Sequence, residues 1–139
     1  MALAINLDGS NRGRMSRVFR EVRIKSDRGE ETVRALFDTG ASRTFIRSDI
    51  AQKVGSLVPF SRPKIATLGD GEGKIEITKG MFLEITLDDY FISTDADVSD
   101  KLAHDLIIGA STMQEWGIGV EPQEEKVVIK ERKTSFELV

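Results

Sequence analysis

Ala35-Leu36-Phe37-Asp38-Thr39-Gly40-Ala41-Ser42 sets a carboxylate at the end of an apolar run and follows it with small residues and hydroxyls. The run Thr32-Val33-Arg34-Ala35-Leu36-Phe37 is apolar on both faces at its end, which predicts a strand buried on both sides there. A carboxylate ionised in such a place costs free energy unless hydrogen bonds or a partner compensate it. Thr39, Gly40, Ala41 and Ser42 supply backbone donors and hydroxyls at the turn. An Asx-turn, where Asp and Gly are common, explains the same residues. The triplet alone therefore leaves open whether Asp38 shapes a turn or performs chemistry.

Outward from this stretch, short alternating segments separated by turn signals predict an all-β domain. Val18, Arg20, Val22 and Ile24 share one strand, closed by Asp27-Arg28-Gly29. Ser48 suits an N-cap, Asp49 the first turn, and Ile50, Ala51 and Val54 an inner face with Gly55 as the stop. Residues 49–54 are thus expected to form a short helix. Ile75 and Ile77, then Met81, Leu83, Ile85 and Leu87, keep a period of two, and the turn Asp88-Asp89 leads to a strand at Tyr90-Phe91-Ile92. Leu106-Ile107-Ile108 is a continuous apolar run closed by Gly109, the pattern of a buried central strand. Ser111 to Trp116 suits one or two helical turns, and Val127-Val128-Ile129 a last strand after the turn Pro122-Gln123-Glu124-Glu125. Many strands in a short chain favour a closed or barrel-like sheet with one or two short helices.

A chain of 139 residues has the size of one domain with a single core. Residues 1–15 read as a flexible lead, 16–130 as the folded domain, and 131–139 as a tail. In that tail Phe136, Leu138 and Val139 either pair at an interface or fray. No apolar run is long enough to span a bilayer, and the first residues lack the basic region of a signal peptide. The absence of cysteine removes disulfides, thiolate metal sites and thiol nucleophiles, so a cytoplasmic protein without a membrane partner is expected. A net charge of -3 argues against a nucleic-acid partner. Arg12, Arg14, Arg17, Arg20 and Arg23 read as a solvated arm or strand face, with a docking patch as the alternative.

Some apparent motifs fail on chemistry. Gly69-x-Gly71-x-Gly73-Lys74 has the wrong spacing for a phosphate loop, and Asp70 and Glu72 would repel phosphate. Asp95-x-Asp97-x-Ser99-Asp100 begins like a calcium loop, but it lacks the sixth-position glycine and has Leu106 where a bidentate glutamate belongs. A solvated acidic loop is expected there. His104 is the single histidine and reads as a loop residue; Tyr90 and Trp116 read as core.

The stretch from Ala35 to Ser42, then Thr44-Phe45-Ile46, then Lys53-Val54-Gly55 resembles the retropepsin-like aspartic proteases of retroviruses, retrotransposons and the DNA-damage-inducible ubiquitin-shuttle proteins. Asp105-Leu106-Ile107-Ile108-Gly109 resembles that family's second signature, two apolar residues before a glycine. The resemblance covers roughly residues 18 to 130. It implies a retropepsin-like acid protease barrel carrying one half-site per chain. Two copies of Asp38 would meet on the axis of a homodimer, share one proton and activate a water against a peptide bond, with no metal or cofactor. By matching position, Thr39 would bond across the interface, and Gly40 would let backbone approach an extended polypeptide substrate. Ile107, Ile108 and Gly109 would pack beneath the Asp38 loop.

Ala41 stands where pepsin-like relatives carry a hydroxyl that bonds the carboxylate. Its absence implies a less acidic dyad and a mildly acidic to near-neutral optimum. The resemblance also implies a closing hairpin at Leu68-Gly69-Asp70-Gly71-Glu72-Gly73, flanked by Ile65-Ala66-Thr67 and Lys74-Ile75-Glu76-Ile77. Its acidic tip and Ala110 both depart from the retroviral pattern. Two further readings stay open. One is an inactive retropepsin-like domain that dimerises or binds peptide; the other is a processing domain released from a larger polyprotein.

Overall fold

The computed structural model describes residues 17–67 and 73–130. The lead and tail read from the sequence at residues 1–15 and 131–139, and the expected hairpin tip at Leu68, Gly69, Asp70, Gly71 and Glu72, lie outside the described residues. The chain builds β1 (Arg17–Lys25), β2 (Glu30–Asp38), β3 (Phe45–Arg47), α1 (Ser48–Val54), β4 (Val58–Thr67), β5 (Lys74–Leu87) and β6 (Tyr90–Ser99). It continues with β7 (Leu106–Ile108), α2 (Ala110–Trp116), β8 (Ile118–Glu121), a single 3-10 turn at Pro122–Glu124, and β9 (Lys126–Ile129).

One sheet runs β1-β2-β7-β3-β6-β5-β4, and β1 pairs again with β5 through Arg23↔Thr86, Ile24↔Ile85 and Lys25↔Glu84. Six strands therefore close on themselves, which removes their free edges, and β4 remains outside the ring, paired among the described strands with β5 alone. Pro59 and Pro63 on β4 suit an edge, because a proline has no N–H to give a further strand. The ring encloses a core that includes Ile24, Leu83, Ile85, Leu106 and Ile108, all at most 1% exposed. The period of two in β5 supplies Met81, Leu83, Ile85 and Leu87 to it. A smaller apolar cluster of Phe45, Ile75, Ile77 and Leu102 lies separately.

The end of β2 is buried on both faces as its composition predicts, with Ala35, Leu36 and Phe37 at 0%, 1% and 1% exposure. The cause is β7, which runs parallel to β2 through Leu36↔Ile107 and Phe37↔Ile108 and antiparallel to β3 through Phe45↔Ile107. β7 thus threads between the strands that enter and leave the Asp38 loop.

Two expectations are corrected. Ser48 is the first helical residue rather than the N-cap; Arg47 precedes it and makes no side-chain cap bond, while the Ser48 hydroxyl accepts from Gln52 Nε2 at 3.2 Å. The stretch 96–99 is the buried end of β6 rather than part of a solvated acidic loop, although Asp95 and Asp100 on either side are exposed. Asp97 is only 2% exposed and Ser99 7%, and Asp97 pairs in register with Phe45 and Gly80. Charge concealed the strand, because Asp97 occupies a core-facing place that ion pairs make tolerable. β3, the first half of β4 and β8 also form where local pattern is too short to show them.

Gly55 ends α1 with extended backbone, φ -173. What it provides is room, since a Cβ there would stand 2.5 Å from Ser26 Oγ and 2.7 Å from Asp27 Oδ1. Asp27 accepts from Ser56 N at 2.7 Å and from Ser56 Oγ at 2.6 Å, tying the β1–β2 turn to the helix exit. The Ser56 hydroxyl, then the Ser56 N–H, hold the Asp27 carboxyl below its ordinary value of 3.8. A depressed carboxyl contributes stability above its unfolded pKa and loses it as pH falls through the folded one. Asp27→Asn is therefore expected to lower the melting temperature by a few degrees at pH 7. The gap to wild type should narrow as pH falls through the lowered carboxyl pKa, where both come to carry a neutral group; a gap unchanged from pH 7 into that acid range would refute this.

Candidate active site

β2 delivers Asp38 to the rim of a cleft of about 460 Å3, lined also by Phe45, Ile65, Ile75, Leu102 and Ile107. The Asp38 side chain is 16% exposed. Its Oδ1 accepts from the Gly40 N–H at 2.8 Å, and the Ala41 N–H donates to the Asp38 carbonyl at 3.1 Å. The tight turn and the placed carboxylate are thus one structure. Arg17 Nε lies 3.8 Å from Asp38 Oδ2 across the β1–β2 pair.

The loop is held from below by the chain that follows β7. The Ala110 N–H donates to Ala41 O at 2.7 Å and the Ser111 N–H to Ser42 O at 3.1 Å. Gly109 approaches so closely that a Cβ on it would stand 2.2 Å from Arg43 O. Of the residues singled out from sequence, Thr39, Gly40 and Ser42 are exposed on this loop and Ala41 is half-buried. Ile107 is half-buried in the cleft wall, while Ile108, at 0% exposure, belongs to the core. Ala66 and Thr67, opposite Ile75 and Lys74, form the stem of the hairpin that leads to the undescribed tip, with Gly73 at its base.

Two polar assemblies were invisible in the sequence because their members come from distant segments. Thr44 Oγ1 lies 2.7 Å from Thr112 Oγ1, which lies 2.9 Å from Thr94 Oγ1, and the Gly109 N–H donates to Thr44 Oγ1 at 3.2 Å. This hydroxyl chain, buried at Thr44 and Thr112 and half-buried at Thr94, locks α2 and β6 to the strand leaving the loop. Beside the cleft, Asp97 accepts from Arg43 Nε at 2.8 Å and Arg43 Nη2 at 3.0 Å, with Lys64 Nζ at 3.4 Å. Hydrogen bonding to Asp97 holds the Arg43 guanidinium above its ordinary value.

Among the described residues, Asp38 and Asp97 are the two carboxylates lining this cleft. Asp97 is committed to two cations, so among the described residues of the cleft lining Asp38 is the one carboxylate left for acid–base work. Among the described residues no group of three or more His, Cys, Asp or Glu is placed to hold a metal ion. A smaller depression of about 330 Å3, near Phe82, Thr94 and Glu115, does not include Asp38.

The family model described as "gag-polyprotein putative aspartyl protease" matches residues 22–115. No curated protein matches the chain at a significant level. Among solved structures, the retroviral protease-like domain of Ddi1 from Leishmania major is similar, with 19% identity over 82% of this chain and 88% of that one and a TM-score of 0.62. EIAV protease in complex with the inhibitor HBY-793 is similar at 21% identity over 83% of this chain and 95% of that one, with a TM-score of 0.52. At these identities the two structures show the shared fold.

Proposed function

The chain belongs to the retropepsin-like gag-polyprotein aspartyl protease family, and on that premise we propose that it is one half of a homodimeric aspartic endopeptidase acting on extended polypeptide. The observation that carries this reading is the placement of Asp38. It stands at the cleft rim, oriented by Gly40 and supported through Gly109, Ala110 and Ser111, with no second uncommitted carboxylate among the described residues that line the cleft. A two-fold axis beside the loop would supply the missing acid from the same residue of a second copy.

Two such carboxylates a few Å apart share one proton, and the pair titrates as a unit. The ionised Asp38 takes a proton from a water lying between them, and that water's oxygen bonds to the peptide carbonyl carbon. The protonated Asp38 gives its proton to the carbonyl oxygen. Collapse of the resulting diol breaks the C–N bond, with a proton passing to the leaving nitrogen. Phe45, Ile75, Leu102 and Ile107 offer an apolar bed for substrate side chains, and the β4–β5 hairpin is suited to cover it. No cofactor is required. No helix among the described residues is long and apolar enough to cross a membrane, and the cysteine-free composition suits the reducing cytoplasm.

One observation favours a second reading, a domain that dimerises or binds peptide without cutting it. Arg17 Nε lies 3.8 Å from Asp38 Oδ2, where a guanidinium competes with the partner carboxylate. The test is digestion of unfolded casein by wild type and Asp38→Ala from pH 3 to pH 8, with and without a pepstatin-type inhibitor. The protease reading expects cleavage by wild type, best at mildly acidic to near-neutral pH. It further expects a loss of about 1,000-fold in Asp38→Ala, the scale of removing a general base. Equal cleavage by the two proteins would overturn it and leave the binding module.

A further inference from the structure

The protease reading leaves one feature of the cleft without a purpose. At its wall, a loop residue, an edge strand and an inner strand bring Arg43, Lys64 and Asp97 together. The Asp97 side chain is 3% exposed and serves two cations, whose own side chains are 45% and 42% exposed. Two positive charges against the one negative charge of Asp97 leave this wall with a surplus cation; Asp38, the other described carboxylate lining the cleft, pairs with neither. Arg43 commits two of its N–H groups to Asp97, and the rest of its five donors have no acceptor among the described residues. Lys64 Nζ is held more loosely, at 3.4 Å from Asp97 Oδ1 and 4.4 Å from the centre of the Phe60 ring. Asp95 acts on Arg43 from a greater distance but is not part of the cleft lining.

A surplus cation beside apolar Phe45, Ile65 and Ile107 is poorly solvated once a peptide fills the cleft and excludes water, and an anion arriving with the peptide would neutralise it. Resting on the reading of the cleft as a peptide-cutting site, we propose that Arg43 and Lys64 form a subsite selecting a glutamate or aspartate side chain next to the apolar residues of the substrate. Asp97 is the positioning residue: it fixes both cations in the wall and sets the size of the surplus.

The experiment uses a labelled casein-derived peptide with Glu, Gln or Lys at each position flanking an apolar pair. Cleavage by wild type, Lys64→Gln and Asp97→Asn is read as the Glu-to-Gln ratio of kcat/KM. Binding of the same peptides to Asp38→Asn, which should cut too slowly to interfere, is read by fluorescence anisotropy. Wild type should prefer Glu to Gln at one position by about threefold to fivefold, the upper range for a half-exposed ion pair. Lys64→Gln should bring the ratio towards one. Asp97→Asn should raise it, the opposite of what general damage would do, and added salt should lower the preference. A wild-type ratio at or below one, or a ratio unmoved by Lys64→Gln, overturns the subsite while cleavage itself stands. Glu-selective binding without any cleavage upholds the subsite and removes the protease; no binding and no cleavage removes both.

Discussion

Wild-type chain mixed with about a ninefold excess of Asp38→Asn chain is expected to lose about nine-tenths of its activity per wild-type molecule. The reason is combinatorial. If each chain supplies one carboxylate of the dyad, a wild-type chain in such a mixture pairs mostly with a partner that cannot complete it. Asparagine keeps the shape of the side chain and an oxygen to accept from the Gly40 N–H, now bonded at 2.8 Å, so the variant should fold and dimerise. It cannot be ionised, and on its own it should be slower by about three orders of magnitude. The assay is fluorogenic casein digestion after the mixed chains have been given time to exchange partners. Activity that tracks the amount of wild type and ignores the added variant would show that one chain works alone, and the half-site reading would be lost.

Gly109→Ala is expected to destabilise the domain by about 3 kcal/mol, combining overpacking with lost hydrogen bonds. The added methyl would stand 2.2 Å from Arg43 O, 2.6 Å from Arg43 C and 2.8 Å from Ala41 O. All three are backbone atoms, so no side chain can swing aside; the loop itself must move. Moving it breaks the Ala110 N–H bond to Ala41 O and the Ser111 N–H bond to Ser42 O, which seat the Asp38 turn. Activity should therefore fall even under conditions where the variant stays folded. Gly55→Ala makes the useful comparison, because its close neighbours are the Ser26 and Asp27 side chains, which can rotate away, and Gly55 is remote from Asp38. Urea unfolding of both variants checks the order. Wild-type stability for Gly109→Ala would mean that the loop is not clamped from below.

The features legible in the sequence were those written in a few consecutive residues. The period of two from Met81 to Leu87, the two-sided burial at Ala35-Leu36-Phe37 and the short apolar run at Leu106-Ile107-Ile108 each depend on local alternation, and each formed a strand where expected. β3 is three residues long, and β4 carries prolines and charges at an edge; neither has enough periodicity to reveal itself. Ser48 satisfied the rule for an N-cap, yet the chain enters α1 one residue earlier because β3 runs directly into it.

Asp38-Thr39-Gly40 and the glycine after Ile108 were decided by residue type alone: a carboxylate that must be compensated, and a position with no space for a side chain. Which groups surround them was decided by the closing of the ring. Pairing β1 with β5 and threading β7 between β2 and β3 brings Ala41 against Ala110, Thr44 against Thr112, and Asp97 against Arg43 and Lys64. Those contacts join residues far apart in sequence, and their free energy depends on burial that arises only when the sheet closes. Asp97 shows the difference most clearly: by composition it belongs in water, and only the cations that the fold places beside it make the buried position tolerable.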